Sequence, residues 1–272
     1  MNPAPVGIFD SGVGGLSVLR EVRRQLPQET LLFLADQAHV PYGPRPLHEV
    51  RTFAEAITGY LLSQGAKLVV VACNAASAAA LHHLRASFPG VPFVGMEPAV
   101  KPAAEHTQSG VVGVLGTPAT FQGELYGSVL ERFAQGVVVL QDTCPGLVGQ
   151  IEAGEIYSTE TRRILQTALQ PMLRQGIDTV VLGCTHYPFV IPVIEEITGP
   201  GVRVIDPAPA VARQVARVLE SEKLNSQEIG AGTVRYLTTG EAAQLGSLLP
   251  LLTGEAGNVE HIDWESILLA MG

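Results

Sequence analysis

Two stretches decide how this chain folds: Lys67-Leu-Val-Val-Val-Ala-Cys73-Asn74 and Asp178-Thr-Val-Val-Leu-Gly-Cys184-Thr185. Each is a β-branched apolar run that starts at a charged residue and ends on a cysteine followed by a small polar residue. A short apolar run without alternation predicts a strand buried on both faces of a parallel sheet. Ligands of open α/β sheets lie just beyond the carboxyl ends of such strands, so each thiol is expected at a site. If the two halves face one another, one cleft holds a sulfur on each wall.

The surrounding sequence repeats this logic. Val6-Gly-Ile-Phe9 reads as a strand, Asp10-Ser-Gly-Val-Gly-Gly15 as a tight turn, and 16–25 carries helical periodicity. Strands are expected at 31–34, up to Cys73, and at 91–96, with helices at 47–62 and 75–85 between them. The order then recurs with strands at 112–115, 137–140, up to Cys184, and at 202–205. Four strand ends correspond: Ser11 with Thr117, Asp36 with Asp142, Cys73 with Cys184, and Glu97-Pro98 with Asp206-Pro207. Four matches in register point to a tandem duplication. Alternating strands and helices imply parallel sheets covered on both faces. The expected fold is therefore α/β, with two pseudosymmetric, doubly wound lobes, mainly parallel sheets and the active site in the cleft between them. Residues 1–97 plus 208–272 are expected to form the first lobe and 98–207 the second. In the last segment, helices are expected at 210–219 and 241–249 and a strand at 233–238, closing the first sheet on the side away from the cleft.

Composition narrows the function. A length of 272 residues suits two lobes. A net charge of −9 with only three lysines, Lys67, Lys101 and Lys223, argues against a nucleic-acid partner. Arg20, Arg23 and Arg24 cluster, but on what reads as one solvated helix face. Three widely separated cysteines and no signal-like start predict free thiols in a reducing compartment, hence a cytoplasmic protein. No apolar stretch approaches the roughly 18 residues of a membrane span.

The strand ends carry the chemistry. Gly12, Gly14 and Gly15 either make a plain tight turn or open the backbone to an anion, a phosphate or a carboxylate, at a helix amino end. Ser17 stands where the dinucleotide pattern requires its last glycine, and the acidic ends at Asp36 and Asp142 read as structural. Ser11 is expected to cap the following helix, which leaves Asp10 to hold an ammonium group or tune a thiol. Buried cysteine is commonly inert, yet Asn74 and Thr185 put polar groups beside Cys73 and Cys184. Helix amino ends beyond them would favour thiolate. His186 adds a group that titrates near neutrality. Neither paired C-x-x-C spacing nor H-E-x-x-H is present, so no metal is expected, and Cys144 is given a structural role. No lysine stands at a strand end to carry pyridoxal phosphate, and no cofactor is expected. Two opposed thiols suit removal of a proton from one face of a carbon and its return to the other, which is racemisation.

Asp10-Ser-Gly-Val-Gly-Gly-Leu-Ser-Val-Leu19, Pro41-Tyr-Gly43, Cys73-Asn74 and Gly183-Cys-Thr-His-Tyr-Pro188 together resemble the glutamate racemases, as do Gly116-Thr117, Cys144-Pro145 with Glu152 downstream, and Thr238-Thr-Gly240. The resemblance implies cofactor-independent interconversion of L- and D-glutamate, serving peptidoglycan synthesis. It implies that Cys73 deprotonates D-glutamate and Cys184 L-glutamate, with Asp10, Glu152 and His186 assisting proton transfer. It places Asp10, Ser11, Tyr42, Gly43, Asn74, Ala75, Thr117, Thr185 and His186 at substrate-binding positions, and implies a homodimer. Two positions depart from the family: Ala75 replaces a threonine, leaving only a backbone amide for the substrate, and His39 replaces an arginine, with an expected effect on the lobe interface or entrance. A racemase for another acidic amino acid and a two-lobed amino-acid-binding protein are the competing readings.

Overall fold

Strands and helices alternate as the apolar pattern predicts, and the computed structural model describes them over residues 4–227 and 230–270. Ten strands occur among the described residues: β1 (Val6–Asp10), β2 (Leu31–Ala35), β3 (Leu68–Val71), β4 (Phe93–Gly95), β5 (Val111–Gly116), β6 (Val138–Asp142), β7 (Thr179–Gly183), β8 (Arg203–Ile205), β9 (Val234–Thr238) and β10 (Val259–His261). They form a six-stranded sheet in the order β10-β9-β2-β1-β3-β4 and a four-stranded sheet in the order β6-β5-β7-β8. Every pairing is parallel.

The runs are apolar without alternation because both faces are covered. In β3, Leu68 and Val70 belong to one core cluster and Val69 and Val71 to another. β2 divides the same way, with Leu31, Phe33 and Ala35 on one face and Leu32 and Leu34 on the other.

Duplication is visible in the topology. The order β2-β1-β3-β4 is repeated as β6-β5-β7-β8, and in each sheet the direction of growth reverses next to the first strand. Such a reversal leaves a crevice at the carboxyl ends of the two strands that flank it. In the first sheet these are β1 and β3, which end at Asp10 and just before Cys73. In the second they are β5 and β7, which end before Thr117 and Cys184.

The strand expected at 233–238 joins the first sheet: β9 pairs with β2 in the register Ala35 to Thr238. A further strand, β10, which the sequence did not suggest, pairs with β9. Only Val259 of the Val259–His261 strand is apolar, so β10 carries no readable pattern. Because the sheet is parallel, β9 also brings Thr238 level with Ala35 and Asp10 at the carboxyl edge of the sheet. Parts of the expected first lobe, 1–3, 228–229 and 271–272, lie outside the described residues. Among the described residues no helix is long and apolar enough to cross a membrane.

Candidate active site

Cys73 leaves β3 in an extended conformation and caps the helix Asn74–Ser87, its sulfur accepting the Ala76 N–H at 3.5 Å. The thiol points at Ser11 Oγ, 4.0 Å away, and Ser11 in turn donates to Asp10 Oδ1 at 3.4 Å. Burial pushes the Cys73 thiol well above the ordinary thiol range, and the neighbouring Asp10 charge pushes the same way, against the Ala76 amide. The helix amino end is expected to favour thiolate, but desolvation outweighs one amide and the shift runs the other way.

Cys184 follows β7 but precedes a short 3-10 turn, Tyr187–Val190, rather than a long helix. Its sulfur lies 3.7 Å from His186 Nδ1, and His186 Nε2 lies 2.6 Å from Glu152 Oε1. Burial alone would lower the His186 pKa, but contacts with Cys184 and Glu152 carry it well above the ordinary value. Burial likewise opposes ionisation of Glu152, and its bonds from His186, Gln37 and the Val13 amide hold its carboxyl below the usual range. Both shifts favour a charged pair, its side chains 2% and 11% exposed, with the imidazole set between a carboxylate and a sulfur.

The glycine turn serves these side chains. Val13 N–H donates to Glu152 Oε1 at 2.8 Å, and Gly15 N–H donates to Asp10 Oδ2 at 2.5 Å. The anions at this helix start are therefore two of the protein's own carboxylates. A Cβ on Gly12 would strike Glu152, and one on Gly14 would strike His186, Thr185 and Asp10. Ser11 does not cap the helix Leu16–Gln25; Asp10 accepts the free amide of the turn instead. Ser17, which ruled against the dinucleotide pattern, sits with its hydroxyl 2.8 Å from Gly14 O and 2.9 Å from Thr185 O, joining the two lobes.

A cavity of about 20 Å³ of free space lies between the strand ends, room for a water molecule rather than for a ligand. Ser11, Tyr42, Gly43, Cys73, Asn74, Ala75, Thr117, Cys184, Thr185 and His186 line it, so ten of the residues singled out from sequence meet there. Asp10 and Glu152 do not reach the cavity wall; they stand behind it, touching Ser11 and Thr185 in the first case and His186 in the second. The Asn74 amide is buried with neither its oxygen nor its nitrogen paired. Buried polar groups are nearly always satisfied, which sets this amide apart from the other buried polar groups of the cavity wall.

Sequence reasoning missed Val148, which lines the cavity; it precedes Glu152 by four on the helix Leu147–Glu152 and so shares its face. His39 stacks on Phe53 at 4.1 Å, meets Trp264 edge-on at 4.5 Å and lies 2.9 Å from Asp36 Oδ2, inside the first lobe and away from the cavity wall. Cys144 is buried in the left-handed region, φ 44°, its amide held by Asp142. No group of three or more His, Cys, Asp or Glu among the described residues is placed to hold a metal ion.

Two duplicated α/β lobes that set a thiol on each wall of one small cavity define an isomerase of the racemase class. The family described as Asp/Glu/Hydantoin racemase matches residues 9–215, and the chain belongs to it. A glutamate racemase of Roseiflexus sp. (strain RS-1) is 51% identical over 258 residues, 94% of this chain and 95% of its own. The glutamate racemase of Bacillus anthracis superposes with a TM-score of 0.85 at 31% identity, over 96% of this chain and 97% of that one. That of Escherichia coli, solved with L-glutamate and an activator, UDP-MurNAc-Ala, superposes with a TM-score of 0.84 at 32% identity, over 96% and 99%.

Proposed function

We propose that this racemase interconverts L- and D-glutamate by two-base proton transfer between Cys184 and Cys73. The observation that carries the reading is the opposition of two thiols, from equivalent strand ends of duplicated lobes, across one small cavity. Glutamate as substrate is supported by the relatives, which are glutamate racemases, one of them solved with L-glutamate.

On this reading the Cα proton of L-glutamate passes to the Cys184 sulfur while the protonated Cys73 delivers its proton to the opposite face, giving D-glutamate; the reverse reaction exchanges the roles. Removing a proton from one face and returning it to the other needs a group on each side. His186, an imidazolium 3.7 Å from the Cys184 sulfur, gives charge at that sulfur a cation to face. The unpaired Asn74 amide and the hydroxyls of Ser11, Thr117 and Thr185 bind the substrate carboxylates and ammonium, and the Ala75 and Gly43 backbones complete the walls. Asp10 acts through Ser11 and Thr185, and Glu152 through His186. Entry of a charged substrate into a cavity this small requires the lobes, 1–97 with 208–272 and 98–207, to open and close.

A cytoplasmic homodimer supplying D-glutamate to peptidoglycan synthesis completes the reading, on the strength of the resemblance. The test is purified protein with L-glutamate in deuterium oxide and no added pyridoxal phosphate. Loss of optical activity with deuterium appearing at Cα is expected, and slower turnover of L-aspartate. Neither racemisation nor exchange at ample protein concentration would remove the reading.

A further inference from the structure

Thr238-Thr239-Gly240, at the end of β9, lies far along the chain from both cysteines, yet it begins a chain of hydrogen bonds that ends at Cys184. Gly240 N–H donates to Thr238 Oγ1 at 3.0 Å, and Thr238 Oγ1 donates to Gln37 Oε1 at 2.8 Å. Gln37 Nε2 donates to Glu152 Oε2 at 3.1 Å. Glu152 Oε1 faces His186 Nε2 at 2.6 Å, and His186 Nδ1 faces the Cys184 sulfur at 3.7 Å.

The polarity of this chain is fixed at Glu152. A carboxylate can only accept, so the Gln37 NH2 turns to Glu152 and its oxygen to Thr238. The Thr238 hydroxyl accepts from Gly240 and gives its single proton to that oxygen. Thr238 is fully buried, and a Cβ on Gly240 would come within 2.7 Å of Gln37 Cβ, so the glutamine is packed from the side as well as bonded. Glu152 then meets donors on both oxygens, Val13 and His186 on one and Gln37 on the other. With both oxygens occupied, the carboxylate stays charged and its orientation toward His186 is fixed. The first wall differs: there the thiol meets Ser11 and, through it, Asp10, with no histidine between.

We propose that Gln37, anchored by Thr238, is a positioning residue for proton transfer at Cys184, holding the Glu152 carboxylate that orients His186. The proposal rests on the two-thiol reading for its catalytic consequence, but its consequence for His186 stands independently of turnover. The titratable groups that face His186 are Glu152, Cys184 and Asp10, and Gln37 touches only the first.

Three variants test it: Gln37→Met, which keeps length and loses the donor; Thr238→Val, which keeps shape and removes the hydroxyl that anchors the Gln37 oxygen; and Thr238→Ser, which keeps the hydroxyl. In the substrate-free protein, nitrogen NMR of the His186 ring should show its titration at lower pH in Gln37→Met and Thr238→Val than in wild type, and unchanged in Thr238→Ser. With glutamate, kcat should fall about tenfold in the first two, the scale of one hydrogen bond to a charged group, and stay within about twofold in Thr238→Ser. The deuterium isotope effect should rise for L-[2-²H]glutamate more than for the D-enantiomer, because only the step at Cys184 is slowed. Unshifted His186 titration in folded Gln37→Met overturns the proposal, as does an equal rise of both isotope effects. Wild-type protein without racemase activity would instead sink the two-thiol reading, leaving the His186 titration to decide the role of Gln37.

Discussion

Thr185 Oγ1, on the second lobe, donates to Asp10 Oδ2, on the first, at 3.2 Å, so one buried carboxylate is shared across the cleft. The same oxygen accepts Gly15 N–H at 2.5 Å. Burial nevertheless raises the Asp10 carboxyl above its ordinary 3.8, against the pull of His186 and Cys73. A raised carboxyl binds its proton more tightly folded than unfolded, so stability falls as pH rises from about 3.8 through the folded value. In Asp10→Asn that fall should be smaller. Denaturant midpoints measured from pH 4 to 7 check this, and an unaltered slope would show that Asp10 does not carry the linkage.

The two thiols should be separately indispensable. Cys73→Ser and Cys184→Ser should each lower racemisation by at least about a hundredfold, the scale of removing one general acid or base, with folding intact by circular dichroism. Both cysteines are 5% exposed, and oxygen replaces sulfur with little repacking. Activity near wild type in either variant would rule out proton delivery from opposite faces.

Both thiols were legible in the sequence because each ends a run buried on both faces, and a doubly buried strand writes its apolar pattern without interruption. The duplication was legible for the same reason. What lies behind the thiols was not: Gln37 reaches Glu152 across 115 residues and Ser17 reaches Thr185 across 168, and no local period marks such a pairing. Glu152 entered only through resemblance, although Val148, one turn before it, lines the same cavity. The ionisation of Cys73 was misread for a related reason. A helix amino end is visible in sequence, whereas full desolvation beside a second buried acid depends on how the lobes pack.

The His186–Glu152 pair should stabilise the fold within a bounded pH window. The folded His186 pKa is raised above 6.5 by Cys184 and Glu152 against burial, so its contribution is complete below about 6.5 and lost as pH rises through the folded value. Burial raises the Glu152 pKa, but its hydrogen-bond donors outweigh that and hold it below 4.5, so its contribution is present above about 4.5 and lost as pH falls through the folded value. Breaking one partner of a buried pair costs about 3 kcal/mol. His186→Asn should therefore be destabilised by that order near pH 6, with the difference from wild type shrinking toward both extremes. A difference that stays constant from pH 3 to 10 would assign the loss to packing instead.

Two glycines should respond oppositely to alanine. At Gly14 a Cβ would meet His186 Nδ1, Thr185 Oγ1 at 2.6 Å and Asp10 Oδ2 at 2.7 Å, three groups that cannot all retreat because each is bonded elsewhere. Overpacking of this kind costs about 1–3 kcal/mol, and here it falls on the groups around Cys184, so Gly14→Ala should lose activity out of proportion to its stability. Gly127, on the helix Glu124–Phe133, has open space where a Cβ would stand, and alanine there should stabilise by about 0.5–1 kcal/mol through helix propensity. Thermal melts of both variants beside their turnover rates make the comparison. If Gly14→Ala melted lower but turned over normally, the glycine turn would be serving the fold rather than the site.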